Sequence, residues 1–461
     1  MRDSKLFLPE NMFLFIGTLF GLLFLVLTPP FKVPDEPNHF LRAAEVSRGN
    51  LKGRVGPSGT GDNVPENFIS TIRVFDGFPF HEDKEQKIEN IFAALHGPAE
   101  TGKAVFADFP NTAEYSPVPY LPQAMGITAG RLAGCSPLAK MYIGRFANLA
   151  LWIFLVYFAI KVLPFKKWLF FLLALTPMSV SLAASLSADC ITNGLTFVLT
   201  ALFLRIAAGR EKIEPKQLLL LFILSLLLSL SKQAYFVVSF LFLLIPVDRI
   251  GTRRKYFSLF SAFILCNIAA VLLWSLSVRE LYEHVYIVYA RLLPDISPSS
   301  QLRFIIFHPL DYAAVVVRTM MQNGKSYFDQ FIGQLGWMDI SLSEPMRILY
   351  SLALLLAAVM GGREEPTISK RQKAVLLATA SSGAILILTL AYISFTPVGS
   401  PVVGGIQGRY FIPLAPLFFL LFSIDRRRAI QAESRIRTVL ILLPVLTLSH
   451  ALFAVVGKYY G

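Results

Sequence analysis

Pro34-Asp35-Glu36-Pro37-Asn38-His39-Phe40 sets two adjacent carboxylates and a histidine just beyond the first long apolar run of the chain. An acid at such an exit can serve as a general base or a metal ligand, whereas holding a membrane helix in place does not require one. Capping is the plain alternative, because an acid ahead of Pro37 satisfies orphan N–H groups and suits the helix dipole. Capping accounts for one acid but not for two beside His39 and Arg42. On a helix, His39 and Arg42 follow Asp35 at offsets of four and seven, near one face. The motif reads as a site with Asp35, Glu36, His39 and Arg42 as candidates.

A second candidate is Gly404-Gly405-Ile406-Gln407-Gly408-Arg409-Tyr410. Glycines let backbone approach a ligand closely, and Arg409 offers a guanidinium fork suited to phosphate, with Gln407 and Tyr410 beside it. A glycine-rich turn with an interfacial arginine is the bland alternative. Asp189, in Ser187-Ala188-Asp189-Cys190, sits between two apolar runs, where headgroups can also solvate a loop acid. Lys232 is a stronger signal. A recessed lysine needs an anion, either a ligand or an internal carboxylate such as Asp189. Arg145 lies inside an apolar run and can snorkel outward. His81, His96, His284, His308 and His450 show no ligand spacing, and Trp337 and Tyr410 also fit an aromatic belt.

The elements that must hold these groups are membrane helices. The chain has 461 residues, 54% of them hydrophobic and 16% charged, with mean hydropathy +0.57. Apolar runs recur from end to end, which excludes an ordinary soluble globular protein. A net charge of +13 would suggest nucleic acid in a soluble chain. Here Lys and Arg cluster between apolar runs, so no nucleic-acid partner is expected. Residues 11–31 are uncharged and longer than a signal-peptide core, with no small-x-small cleavage site after them, so they read as an anchor. Cys135, Cys190 and Cys266 are far apart and give neither a disulfide framework nor a zinc site.

Further apolar runs lie near 138–160, 168–188, 190–208, 217–231, 234–247, 256–276, 346–361, 374–395, 410–424 and 437–456. With the first run they predict about eleven spans, each near the roughly 20 residues a bilayer needs. An inside N-terminus puts the clusters 161–167, 205–216, 249–255, 363–373 and 426–437 in the cytoplasm. This positive-inside pattern predicts N-in and C-out. The 217–247 segment gives only about 45 Å of helix where two full crossings need roughly 60 Å. A single long helix would reverse every later cluster. Two short helices are therefore expected, with the Ser231-Lys232-Gln233 apex recessed below the outer surface.

Two long segments, 32–137 and 277–345, are outside on this parity. The first predicts a helix from Pro37 to Arg48 closed by Gly49, then a Gly/Pro/Asn-rich loop and an amphipathic helix around Asp83–Leu95. Tyr115-Ser116-Pro117-Val118-Pro119-Tyr120 leads into a short, Pro-bounded apolar helix to about Ala133, expected in the membrane interface. The second segment carries an amphipathic stretch at His308–Met321 and then Gly336-Trp337-Met338-Asp339.

On these motifs the chain resembles a bacterial family of predicted membrane proteins, domain of unknown function 2142, over nearly its whole length. The resemblance rests on Pro34-Asp35-Glu36-Pro37-x-His39-Phe40, Tyr115-Ser116-Pro117-x-Pro119-Tyr120, Gly336-Trp337-x-Asp339 and Gln407-Gly408-Arg409-Tyr410. More distantly, an acidic pair opening the first outer loop is similar to the GT-C superfamily of integral-membrane glycosyltransferases. Those enzymes use polyprenyl-phosphate-linked sugars, with an aspartate in this loop as base or metal-contacting acid. That resemblance implies a GT-C-like fold, Asp35 as the catalytic residue and Glu36 as its support, and leaves a divalent cation open. Such a donor needs a cavity open sideways to its acyl chain, cations for its phosphate, and an acid near C1. Lys232 and Arg409 would hold the leaving phosphate and Asp35 would deprotonate the acceptor hydroxyl.

The expectation is an all-α polytopic membrane protein, residues 1–461 as one integral-membrane domain, in the bacterial cytoplasmic membrane with its site facing the periplasm or exterior. Its substrates would be a lipid-linked sugar donor and an envelope glycan or lipid acceptor, among membrane lipids. His39, Arg42, Asp189, Gln407 and Tyr410 would complete the substrate site. A transporter or flippase of lipid-linked glycans, or a non-catalytic subunit of an envelope-assembly complex, are the alternatives. Long outer segments and the lack of paired broken helices in two halves favour the enzyme.

Overall fold

In the computed structural model, residues 7–57, 59–75, 85–100, 102–292, 295–361, 365–424 and 434–461 are described. Helix α1 (Pro9–Leu27) opens on a proline at its first position with Glu10 in the first turn, and stops at Thr28 ahead of Pro29-Pro30. Helix α2 (Glu36–Ser47) follows almost where the sequence put it, and Gly49 ends it with φ +87°.

The expected Gly/Pro/Asn-rich loop is instead a three-stranded antiparallel sheet, in order β1 (Arg54–Gly56), β2 (Gly59–Pro65) and β3 (Ala104–Asp108). Arg54 pairs with Gly61, and Gly61 with Asp108. Strand β2 reads GTGDNVP and has no alternating apolar pattern to betray it. Its glycines serve close approach: a Cβ on Gly61 would stand 1.9 Å from the Ala107 carbonyl oxygen. Around the sheet lie α3 (Glu66–Val74), α4 (Ile88–Leu95) and α5 (Pro110–Ala113). His81, Asp83 and Lys84 lie outside the described residues. The Pro-bounded helix α6 (Leu121–Leu132) packs along α7 (Pro137–Val162), whose Ser136 cap accepts the Ala139 amide at 3.2 Å.

The remaining helices are α8 (Lys167–Ala174), α9 (Pro177–Ala183), α10 (Asp189–Ala208), α11 (Pro215–Ser231), α12 (Arg253–Ser277) and α13 (Arg279–Leu292). After them come α14 (Pro298–Phe307), α15 (Pro309–Gly333), the hairpin β4 (Gln334–Leu335) and β5 (Ile340–Ser341), α16 (Glu344–Val359), α17 (Lys370–Phe395), α18 (Ala415–Leu420) and α19 (Ser434–Tyr459). Among the described residues six helices, α1, α7, α10, α12, α17 and α19, are long and apolar enough to cross a membrane, or seven spans if the α14–α15 pair, bent by 107°, counts as one. Other apolar runs are broken. Residues 168–188 split at Thr176-Pro177 into α8 and α9, and 410–424 forms a 3-10 turn (Gly408–Leu414) and the short α18 around Pro413 and Pro416. Residues 217–247 form α11 and a 3-10 segment, Gln233–Leu244, which meet at Lys232. Helix α10 is the axis of the bundle: 94% of its apolar window is buried, against 17% for α12 at the periphery.

The two long segments share one end of the molecule. Val278 and Leu281 join Phe31, Phe40, Phe68 and Phe109 in one apolar core, and the Gln86 amide donates to the Tyr459 carbonyl at 2.6 Å. The opposite end gathers basic residues. There Lys166 donates to the Met360 carbonyl, Arg249 to those of Ile206 (2.6 Å) and Gly209 (2.5 Å), Arg371 to that of Leu243 (3.1 Å), and Lys167 pairs with Glu10 (3.2 Å). Arg363 and residues 425–433 lie outside the described residues.

Candidate active site

Asp35 and Glu36 part company at the start of α2. Glu36 turns inward and meets Arg145 in a two-pronged pair, Oε1 to Nε at 2.8 Å and Oε2 to Nη2 at 2.6 Å, with both side chains fully buried. Arg145 also donates to the carbonyls of Leu25, Thr28 and Pro29 at 2.9–3.1 Å. The Leu186 amide donates to Glu36 Oε1 at 3.1 Å. This knot ties the end of α1, the start of α2, α7 and the loop ahead of α10 together. Arg145 does not snorkel; it is the internal counter-ion.

Asp35 points the other way. It takes a left-handed backbone, φ +62°, which Asp tolerates better than most residues. Its carboxylate makes no capping bond. Oδ1 accepts from Asn111 Nδ2 at 2.9 Å and Oδ2 from Arg409 Nη2 at 3.1 Å. Arg409 Nε stands 3.6 Å from Asp189 Oδ2, and Asp189 Oδ1 accepts from Lys232. The result is a row of alternating charge: Asp35, Arg409, Asp189, Lys232. Asp189 opens α10, where the helix dipole favours an anion. Lys232 sits at the break after α11 with extended backbone, its ammonium 4.8 Å from the Tyr410 ring centre.

This row lies in a cavity of about 680 Å³. One side carries polar and aromatic groups, among them His39, Asn111, Tyr115, Gln233, Trp274 and Tyr282. The apolar part of the lining comes from Ile387, Leu390, Ala391 and Phe395 of α17 with Ile406. Leu390 and Phe395 are both exposed.

The other sequence candidates fall in different places. His39 lines the cavity, its Nδ1 2.8 Å from the Tyr120 hydroxyl; burial pulls its pKa down to about 4, so it is neutral at pH 7 and no cation for a phosphate. Tyr410 lines the cavity, and its carbonyl accepts from the Tyr235 hydroxyl at 2.7 Å. Gln407 does not line this cavity but a small recess with Val33, Pro34 and Gln334 that Arg409 also lines. Arg42 is buried away from the cavity, paired with Glu45 and donating to the carbonyls of Leu51 (2.8 Å) and Tyr115 (2.7 Å). It anchors the Tyr115 segment, and Glu36 is likewise remote from the row. Gly408 serves packing: its amide donates to Gln330 Oε1 at 2.7 Å, and a Cβ there would stand 2.0 Å from the Tyr327 carbonyl oxygen. Gly336-Trp337-Met338-Asp339 is the tight turn between β4 and β5, with Asp339 beside the Tyr459 hydroxyl at 3.5 Å.

Sequence reasoning passed over Asn111, Glu114, Trp274 and Tyr282, which no motif marks. The Tyr115-Ser116-Pro117 run, noted as leading into a short helix, and the Ser231-Lys232-Gln233 apex pointed to this cavity. A divalent cation suits the arrangement poorly. Both carboxylates already hold cations, and an ion on Asp35 or Asp189 would face Arg409 or Lys232 on the same oxygens. Among the described residues no three His, Cys, Asp or Glu side chains converge.

The family model described as "Predicted membrane protein (DUF2142)" matches residues 18–418. No curated protein and no solved structure matches the chain. With most of its length matched, the chain belongs to the DUF2142 family of predicted membrane proteins.

Proposed function

We propose that this multi-pass membrane protein transfers a sugar from a polyprenyl-phosphate donor to an extracytoplasmic glycan or lipid acceptor, at the cavity holding Asp35. One observation carries the reading: a row of alternating charge in a cavity that is also lined by apolar residues of α17. A lipid chain can lie along α17 while its phosphate replaces a carboxylate as partner of Arg409 and Lys232. Arg409 Nε stands 3.6 Å from Asp189 Oδ2, longer than a hydrogen bond, so this donor can turn to a phosphate.

In the reaction, Asp35 takes the proton of the acceptor hydroxyl, and that oxygen attacks C1 of the sugar. The C1–oxygen bond to phosphate breaks, and its electron pair leaves with the phosphate, where Arg409 and Lys232 stabilise the added charge. Before the donor binds, Asp189 holds the two cations in place. The likeness to GT-C enzymes is one of motif position and stays an analogy.

The reading includes a bacterial cytoplasmic membrane, about eleven crossings with several made by broken or short helices, N-in and C-out, with 32–137 and 277–345 outside. Support comes from the two ends of the molecule, one joining both long segments and the C-terminal Tyr459, the other gathering the basic loops with Glu10. In a cysteine-free background, Ser70→Cys should label from outside intact cells and Thr367→Cys only after permeabilisation. Reversed labelling would remove the topology.

The activity test is reconstitution of the purified protein in vesicles with polyprenyl-phosphate sugars and extracted envelope glycan. Sugar on the acceptor together with free polyprenyl phosphate supports transfer. Movement of intact donor across the bilayer with no chemistry would make the protein a flippase instead.

A further inference from the structure

One carboxyl in the cavity is left out of that chemistry. Glu114 follows α5, and its side chain is half-buried and lines the cavity. Its carboxyl has no cation and no hydrogen-bond partner among the described residues, in contrast to Asp35 and Asp189. Burial alone pushes its pKa up to about 7, so it holds a proton for much of the time at neutral pH. A carboxyl that lines a cavity without a protein partner is free to bond to what enters it.

Its neighbours are those of a polar-ring site. Trp274 donates its indole N–H to the Glu114 backbone carbonyl at 2.9 Å, which fixes the ring beside the acid. Gln233 donates to Ser275 Oγ at 3.0 Å and to the Tyr282 hydroxyl at 3.2 Å. Gln233 also follows Lys232 directly, so this group adjoins the ammonium of the charged row. A sugar ring has apolar C–H faces and hydroxyl edges. A flat aromatic with hydrogen-bonding groups at its rim meets both demands.

We propose that Glu114, Gln233, Trp274 and Tyr282 form a carbohydrate subsite next to the phosphate-binding cations. It rests on the reading above and names the part of the cavity that holds a sugar. Trp274 covers a ring face, and the Glu114 carboxyl and Gln233 amide bond to hydroxyls. The ring can belong to the donor or to the acceptor, since both present the same chemistry.

The test uses the full-length protein in lipid nanodiscs and three probes. These are bare polyprenyl phosphate, polyprenyl phosphates bearing a hexose, a pentose or an N-acetylhexosamine, and methyl glycosides of those sugars. Wild type should bind at least one sugar-bearing lipid or glycoside about tenfold more tightly than its sugar-free counterpart or than the other sugars, the worth of one or two hydrogen bonds. Glu114→Leu and Trp274→Ala should abolish that gain, and Glu114→Gln, which keeps shape and hydrogen bonding, should retain most of it. Bare polyprenyl phosphate should bind all of them equally. A gain for the lipid alone assigns the donor sugar, and one for the glycoside the acceptor. An unchanged gain in Glu114→Leu and Trp274→Ala, or equal weakening of bare and sugar-bearing lipid, overturns the subsite. If wild type fails to bind bare polyprenyl phosphate, the phosphate reading falls while the glycosides still decide: binding sensitive to Glu114→Leu keeps the subsite, and insensitive or absent binding removes it.

Discussion

Asp35 and Glu36 are neighbours in sequence and opposites in the fold. Glu36 is fully buried, with both oxygens on one guanidinium and an amide added, and Arg145 spends its remaining donors on three carbonyls. Asp35 stays 31% exposed, shares Arg409 with a second carboxylate, and opens on a cavity. A closed ion pair with every donor and acceptor used has no capacity left for a ligand and acts as a rivet. A row of charges with unused donors can exchange a protein partner for a substrate. The left-handed turn at Asp35 is what sends two adjacent acids to these two places.

The sharpest way to break this contrast is to remove the rivet. Arg145→Met leaves Glu36 buried and unpaired, which costs about 3–5 kcal/mol, a large part of an ordinary fold's stability. Little monodisperse protein should survive extraction, as size-exclusion chromatography would record. Normal yield would mean that Glu36 is solvated and free for another role.

Next comes the glycine run. Gly408→Ala forces a methyl against the Tyr327 backbone, and such overpacking costs about 1–3 kcal/mol, read as a lower melting temperature. A Cβ on Gly404 would find its nearest atom at 3.6 Å, so Gly404→Ala should leave both melting and polyprenyl-phosphate binding unchanged. Weakened binding in Gly404→Ala at normal stability would return the run to a ligand-approach role.

The open row should respond to smaller changes. Arg409→Lys keeps the charge but loses the fork that reaches both carboxylates, and should weaken polyprenyl-phosphate binding roughly tenfold. Combined with Lys232→Ala it should be non-additive, because the two cations share a phosphate. Strict additivity would mean that they only brace Asp189.

The smallest effect is in pH. The native fold keeps the Glu114 proton up to about pH 7, whereas the unfolded chain loses it near the ordinary glutamate value of 4.5. This contribution to stability is complete below that value and is lost as pH rises through the window. His39 works in the other direction: its pKa falls from 6.5 to about 4, so its contribution is present above 6.5 and lost as pH drops toward 4. The melting temperature of Glu114→Gln relative to wild type should therefore climb between pH 4.5 and 7. A pH-independent difference would mean that Glu114 is solvated.

Much of this architecture was legible in the sequence. The α2 boundaries, the recess at Lys232 and the sorting of basic loops to one end follow from capping residues, helix length and charge, all of which are local. The Asp189–Lys232 contact was named as a partner for a recessed lysine. What could not be read depends on contacts across the chain. The sheet hides in a glycine-rich strand held by backbone approach. Arg42 looked like part of the site because helical spacing sets it near Asp35, yet its donors reach Glu45, Leu51 and Tyr115. Asn111, Glu114 and Trp274 come from separate elements that only the fold brings to one cavity.

The central claim is that one acid of the pair reacts and the other holds the fold. Sugar transfer from a polyprenyl-phosphate donor, measured per mole of folded protein for Asp35→Asn and Glu36→Gln side by side, tests it most directly. Asp35→Asn should fold and melt like wild type while turnover falls about 10²–10⁴-fold, the usual worth of a general base. Glu36→Gln should yield less folded protein, and the fraction that folds should turn over near the wild-type rate. Wild-type transfer by folded Asp35→Asn, or stable but inactive Glu36→Gln, would contradict the account.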